Sequence, residues 1–228
     1  MKALLLRVGI DSFYGALSPV WDDMSYVYIP ICNKNIKEIE RGEKRTYKDL
    51  LKSNVKYLPQ KLHNKIVHYD PEFETYTYGD PTTNKKLTSL KPNDLFIFYM
   101  GGIMQNSTNE KGCFIIGYFE VESVEHWKGK LTPQQKAELR RKFPNNAHAI
   151  SSKTQKDLTI VKGNNNSKKL EKCIKITVPT ANCTNPAYVT NPELTKSCGI
   201  RRFITRAIPI IVTEEKHLKN LKELLGIK

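Results

Sequence analysis

Residues 95–100, LFIFYM, and residues 113–124, CFIIGYFEVESV, decide how this chain folds. Both runs are rich in β-branched and aromatic side chains. The turn formers Lys91-Pro92-Asn93-Asp94 precede the first run, and a link containing Gly, Asn and Ser (residues 101–112) joins it to the second. Two such runs joined by a turn-rich link read as a β-hairpin. Further strands are expected at residues 3–10 (ALLLRVGI), 26–31 (YVYIPI), 65–69 (KIVHY), 157–162 (DLTIVK) and 174–178. Pro133 in a first turn, with Thr132 as cap, predicts a helix over residues 133–142. Leu218, Leu221, Leu224 and Leu225 recur at helical spacing and predict an amphipathic C-terminal helix. Short helices are expected at residues 47–51 and 168–174.

Composition bounds the partners. Lys and Arg number 37 against 23 Asp and Glu, a net charge of +14. A surface of this sign attracts polyanions, of which phosphate backbones are the commonest. The five cysteines are irregularly spaced and form no CxxC, which argues against a disulfide framework and against a structural zinc site. The apolar run at residues 3–6 is too short for a signal peptide or a membrane span. A cytoplasmic protein without membrane contact is expected. The length suits one domain over residues 1–228. Within it, residues 34–65 carry ten Lys or Arg and read as a basic insertion or connector.

Chemically able residues gather at strand ends, where scaffolds display functional groups. Arg7 stands in an otherwise apolar strand and must meet an acid, a carbonyl or a phosphate. Asp11, Ser12 and Tyr14 follow in a glycine-flanked turn, where they either cap the turn or contact a ligand. His68 and Asp70, with Tyr78 and Asp80, supply an imidazole and two carboxylates within thirteen residues. Such a set performs acid–base work, binds a divalent metal, or simply shapes turns. Asn146 and His148 lie in a further loop, where a side-chain amide suits base edges. Arg201, Arg202 and Arg206 are candidates for phosphate contacts. P-loop, dinucleotide-binding, HExxH and zinc-deaminase signatures are absent. No metal site is assigned from the sequence, and any cofactor is left unknown.

The opening stretch resembles the third type of nucleotide modification associated domain. That family opens with a strand and a G-x-D-S-x-Y-G-x-x-x-P pattern, matched by Gly9, Asp11, Ser12, Tyr14, Gly15 and Pro19. An H-x-D-P element is matched by His68, Asp70 and Pro71. An L-x-P-x-D-L-F-x-F turn and strand is matched by Leu90, Pro92, Asp94, Leu95, Phe96 and Phe98. The resemblance implies association with modified or hypermodified nucleobases. Residues 91–124 also look like the central hairpin of PUA-like folds, including the EVE and ASCH groups, which bind RNA or modified bases.

These readings converge on an α+β protein: a mixed, largely antiparallel curved sheet or open barrel of PUA-like kind, with peripheral helices. It is expected to bind nucleic acid (DNA or RNA) or a nucleotide, and to recognise or help modify a base. The base would meet Arg7, Ser12, Tyr14, Tyr78, Asp80, Asn146 and His148. The alternative is an enzyme on the same substrate (a base-modifying transferase, glycosylase or nuclease) using Asp11, His68 and Asp70 as catalytic residues. Oligomeric state is left open.

Overall fold

The structure, a computed structural model, describes residues 1–32, 45–82, 84–151, 157–180, 188–201, 204 and 208–227. The first half contains strands β1 (Ala3–Val8), β2 (Ser18–Val20), β3 (Ile31–Cys32), β4 (Val67–His68) and β5 (Thr77–Asp80), with helices α1 (Tyr47–Leu51) and α2 (Lys85–Thr88). Next come the long strands β6 (Leu95–Met104) and β7 (Lys111–Lys128), then helices α3 (Pro133–Lys142) and α4 (Ala147–Ile150). Strands β8 (Asp157–Gly163), β9 (Lys168–Lys175), β10 (Thr177–Pro179) and β11 (Tyr188–Thr190) lead to α5 (Pro192–Cys198), β12 (Ile210–Val212) and α6 (Glu215–Leu225).

The expected hairpin is the centre of the sheet. β6 and β7 pair antiparallel from Leu95↔Glu120 to Ile103↔Lys111, so both strands outrun their apolar cores. The other side of β7 is covered by β8 along Val121–Lys128 and by β9 along Phe114–Tyr118. β8 and β9 thus form one broken line, interrupted by a loop whose Asn164 N–H donates to Glu120 O. This corrects the expected helical turn at 168–174. Its Lys- and Glu-rich sequence is held extended by β7, whose ladder overrides local preference. β1 pairs parallel with β6, and so does β2 further along the same edge. The sheet is therefore mixed and mostly antiparallel. The stretch 26–31 is less regular than expected. Tyr26 makes an isolated bridge to Val20, and only Ile31 and Cys32 enter a ladder, with β4.

Both faces of the sheet are covered, which explains why ALLL and LFIFYM are apolar without alternation. On one face Leu4, Leu6, Phe96, Phe98, Phe114 and Phe119 join Tyr47, Leu51, Leu58 and Leu62. The described part of the basic segment, residues 45–65, thus contributes core. On the other face Ala3, Leu5, Ile97, Tyr99 and Ile115 pack on α6 through Leu218, Leu221 and Leu225. The helices at 47–51 and 133–142 form as expected, each with a capping box, on Thr46 and on Thr132. Cys32, Cys113, Cys173 and Cys198 are free thiols. Among the described residues no helix is long and apolar enough to cross a membrane.

The sheet curls but does not close into a barrel. Its order runs β12-β1-β6-β7-β8-β5. β12 stops opposite Leu5, so among the described residues β1 is the edge beyond that point. Residues 6–8 of β1 with Gly9, and residues 78–80 of β5, from opposite ends of the sheet, line one cavity. Tyr78 reaches across the inside of the curl to Phe96 and Phe98, at ring separations of 5.2 and 5.8 Å. The cavity fills the gap that closure would have removed.

Candidate functional site

β4 with the residues that follow it and helix α4 bring three side chains to the wall of that cavity. His68 ends β4, where pairing with Ile31 fixes its backbone. Asp70 lies two residues on, with a side chain only 4% exposed. The Gly79 N–H of β5 faces both Asp70 carboxylate oxygens, at 3.3 and 3.2 Å. The Tyr28 hydroxyl donates to the Asp70 carbonyl. His148 sits on α4, a helix too short to hold itself. Asn146 caps it: the amide oxygen accepts from the His148 and Ala149 N–H groups, and the amide nitrogen donates to Thr77 Oγ1. Gly79 allows the approach. A Cβ there would lie 2.6 Å from His148 Cδ2 and 2.9 Å from Asn146 Oδ1.

The result is a tight cluster. His68 Nε2 and His148 Nε2 are 3.0 Å apart. The Asp70 carboxylate lies 3.4 Å from His148 Nε2 and 4.0 Å from His68 Nε2. All three donor atoms fall within 4.8 Å of one another. Burial pushes the Asp70 carboxyl well above the usual carboxylate range. His68 and the Gly79 N–H pull it back, while Asp80 and Glu72 push it further up. The two imidazole nitrogens cannot both carry protons at 3.0 Å, so one presents a lone pair to the other. Such a set can move a proton or hold a metal ion.

The cavity has a volume of about 420 Å³, within the usual range for small-ligand sites. Tyr78 and Asp80 line it beside the cluster. Asp80 also closes its own turn, accepting from the Thr82 N–H and hydroxyl. Arg7 lines the cavity from the β1 edge. Burial alone would lower its pKa, but neighbouring Cys113, Tyr188 and Tyr99 raise it. A Cβ on Gly101 would lie 2.6 Å from its Nη2, so that glycine makes room for the guanidinium. Pro209 also lines the cavity, and its carbonyl accepts from Lys86 Nζ at 2.7 Å and Arg201 Nη2 at 3.3 Å. Two cations share one neutral acceptor there.

The structure therefore brings together Arg7, His68, Asp70, Tyr78, Asp80 and His148, and sets Arg201 beside them. Asn146 is adjacent but fully buried, with its amide engaged inside the fold. Asp11, Ser12 and Tyr14 do not line the cavity. β1 and β2 are two pieces of one edge along β6, and the Asp11 turn is the excursion between them. Asp11 caps a 3-10 turn by accepting from the Phe13 N–H, and Tyr14 packs on the core. Arg202 and Arg206 lie outside the described residues. Sequence reading missed Gly79 as a spacer and Lys86 as a neighbour. Residues 76–81 read as a turn in sequence, and only their extension as β5 shows a glycine inside a strand, a sign of close approach; Lys86 carried no signal at all.

A family model described as nucleotide modification associated domain 3 matches residues 2–208 of the 228. No curated protein and no solved structure matches the chain.

Proposed function

The chain belongs to the nucleotide modification associated domain 3 family, and from that premise we propose that it is an enzyme modifying a nucleobase in a nucleic-acid strand. The observation that carries this is the convergence of His68 and Asp70, two residues apart, with His148, eighty residues further on, at the wall of one cavity. A protein that only reads a base needs stacking and hydrogen bonds. Two imidazoles and a buried carboxylate held this closely go beyond that need. Tyr78 supplies a ring for the base to stack on, worth roughly 1–3 kcal/mol. Lys86 and Arg201 hold a phosphate at the Pro209 side. A base inside a duplex cannot reach such a cavity, so the substrate is single-stranded or the base is turned out of the stack. The net charge of +14 favours a polymer over a free nucleotide.

The test is nucleoside mass spectrometry of oligonucleotides or cellular nucleic acid after exposure to the wild-type chain and to His148→Ala. The proposal predicts an altered nucleoside in the first sample and its loss in the second. Identical spectra, with oligonucleotide binding retained by both proteins, would instead favour a reader.

A further inference from the structure

We propose that His68 Nε2, His148 Nε2 and the Asp70 carboxylate bind a divalent first-row transition-metal ion. The sequence alone assigned no metal to these residues. Three observations carry the inference, and it deepens the catalytic reading of the cavity, on which its role there rests.

The first is distance. A circle through three points separated by 3.0, 3.4 and 4.0 Å has a radius of about 2.05 Å, and metal–imidazole and metal–carboxylate bonds are about 2.0–2.2 Å long. A point at bonding distance from all three atoms therefore exists, and a tetrahedral or facial arrangement asks only the 4.0 Å pair to close to about 3.0–3.4 Å. The second is the convergence of donor atoms. The two imidazole nitrogens at 3.0 Å share one proton or one cation, and a cation there would also engage the Asp70 oxygen, 3.4 Å from His148 Nε2. The third is independent support for each donor. The Gly79 N–H holds the Asp70 carboxylate, the Asn146 cap fixes the backbone at His148, and the β3–β4 pairing fixes the backbone at His68. Metal sites are held in this way by neighbours that are not themselves ligands.

The donor set selects the ion. Two imidazoles with one carboxylate suit zinc, iron, cobalt or manganese, whereas magnesium and calcium prefer oxygen donors alone. Three protein ligands leave positions open toward the cavity, where a water or a substrate atom binds the ion.

The test uses the full chain, stripped with a chelator and titrated with Co²⁺, Zn²⁺, Mn²⁺ and anaerobic Fe²⁺, with Mg²⁺ as the contrast. The expected result is saturable binding of about one equivalent, with His68→Ala and His148→Ala each weakening it at least about tenfold. His217→Gln, outside the cavity lining, should bind as wild type. Pulsed EPR of the Cu²⁺-loaded wild type should report two coordinated imidazoles, a readout independent of how the variants fold. Absence of saturable binding to a folded wild type would overturn the proposal. So would wild-type affinity in both alanine variants, or a Cu²⁺ spectrum without imidazole. Oligonucleotide binding measured on the stripped chain separates the two claims. If it persists while metal binding fails, the metal falls and the nucleic-acid reading stands.

Discussion

The turn at residues 11–15 and the arm from His68 to Asp80 carry the same kinds of residue: aspartates, aromatics and a glycine at a strand end. They use them differently. At the turn, Asp11 closes a 3-10 helix and Phe13 is 81% exposed. The Asp11 carboxylate accepts from the Phe13 N–H of its own turn, and the turn bridges two strand pieces that both pair with β6. In the arm, Asp70 is buried, and its carboxylate meets Gly79 of β5 and His148 of α4 as well as His68, two residues away. A carboxylate that organises its own turn is explained by that turn. One that is buried and met by residues from two further elements needs a further role.

Substitutions can break or sharpen this contrast. The largest effect is expected from Asp70→Asn and His148→Ala, which should reduce nucleoside turnover by roughly 10²–10⁴, the range for a lost acid–base or metal-holding group. Gly79→Ala comes next. Its methyl would meet His148 and the Asn146 amide, so turnover and metal affinity should fall by roughly 10–100-fold with the chain still folded by circular dichroism. Asn146→Ala removes a helix cap and the amide that donates to Thr77. Chemical denaturation should show a loss of roughly 1–3 kcal/mol. Lys86→Ala and Arg201→Ala should each flatten the plot of log affinity against log salt by about one unit per lost phosphate contact, with little change in turnover at saturation. Asp11→Ala should do least: a cap lost from an exposed 3-10 turn, roughly 0.5–1 kcal/mol, and turnover near wild type.

Part of this was legible from sequence. The hairpin, the capped helices at 47–51 and 133–142, and the C-terminal helix announced themselves because their signals are local: an apolar run, a cap, a period. His68, Asp70, Tyr78 and Asp80 could be grouped because they are near in sequence. His148 could be named, but not brought to His68, eighty residues away, since a curled sheet sets that distance. The motif-like turn drew attention for a structural reason, the interruption of an edge strand. The line formed by β8 and β9 was hidden because β7, and not the Lys- and Glu-rich residues of 168–175, holds it extended.

The central claim is that chemistry belongs to the His68–Asp70–His148 wall and not to the Asp11 turn. Nucleoside mass spectrometry of nucleic acid treated in parallel with wild type, His148→Ala and Asp11→Ala tests this most directly. The altered nucleoside should appear with wild type and Asp11→Ala and be missing with His148→Ala. Loss with Asp11→Ala and retention with His148→Ala would contradict the account.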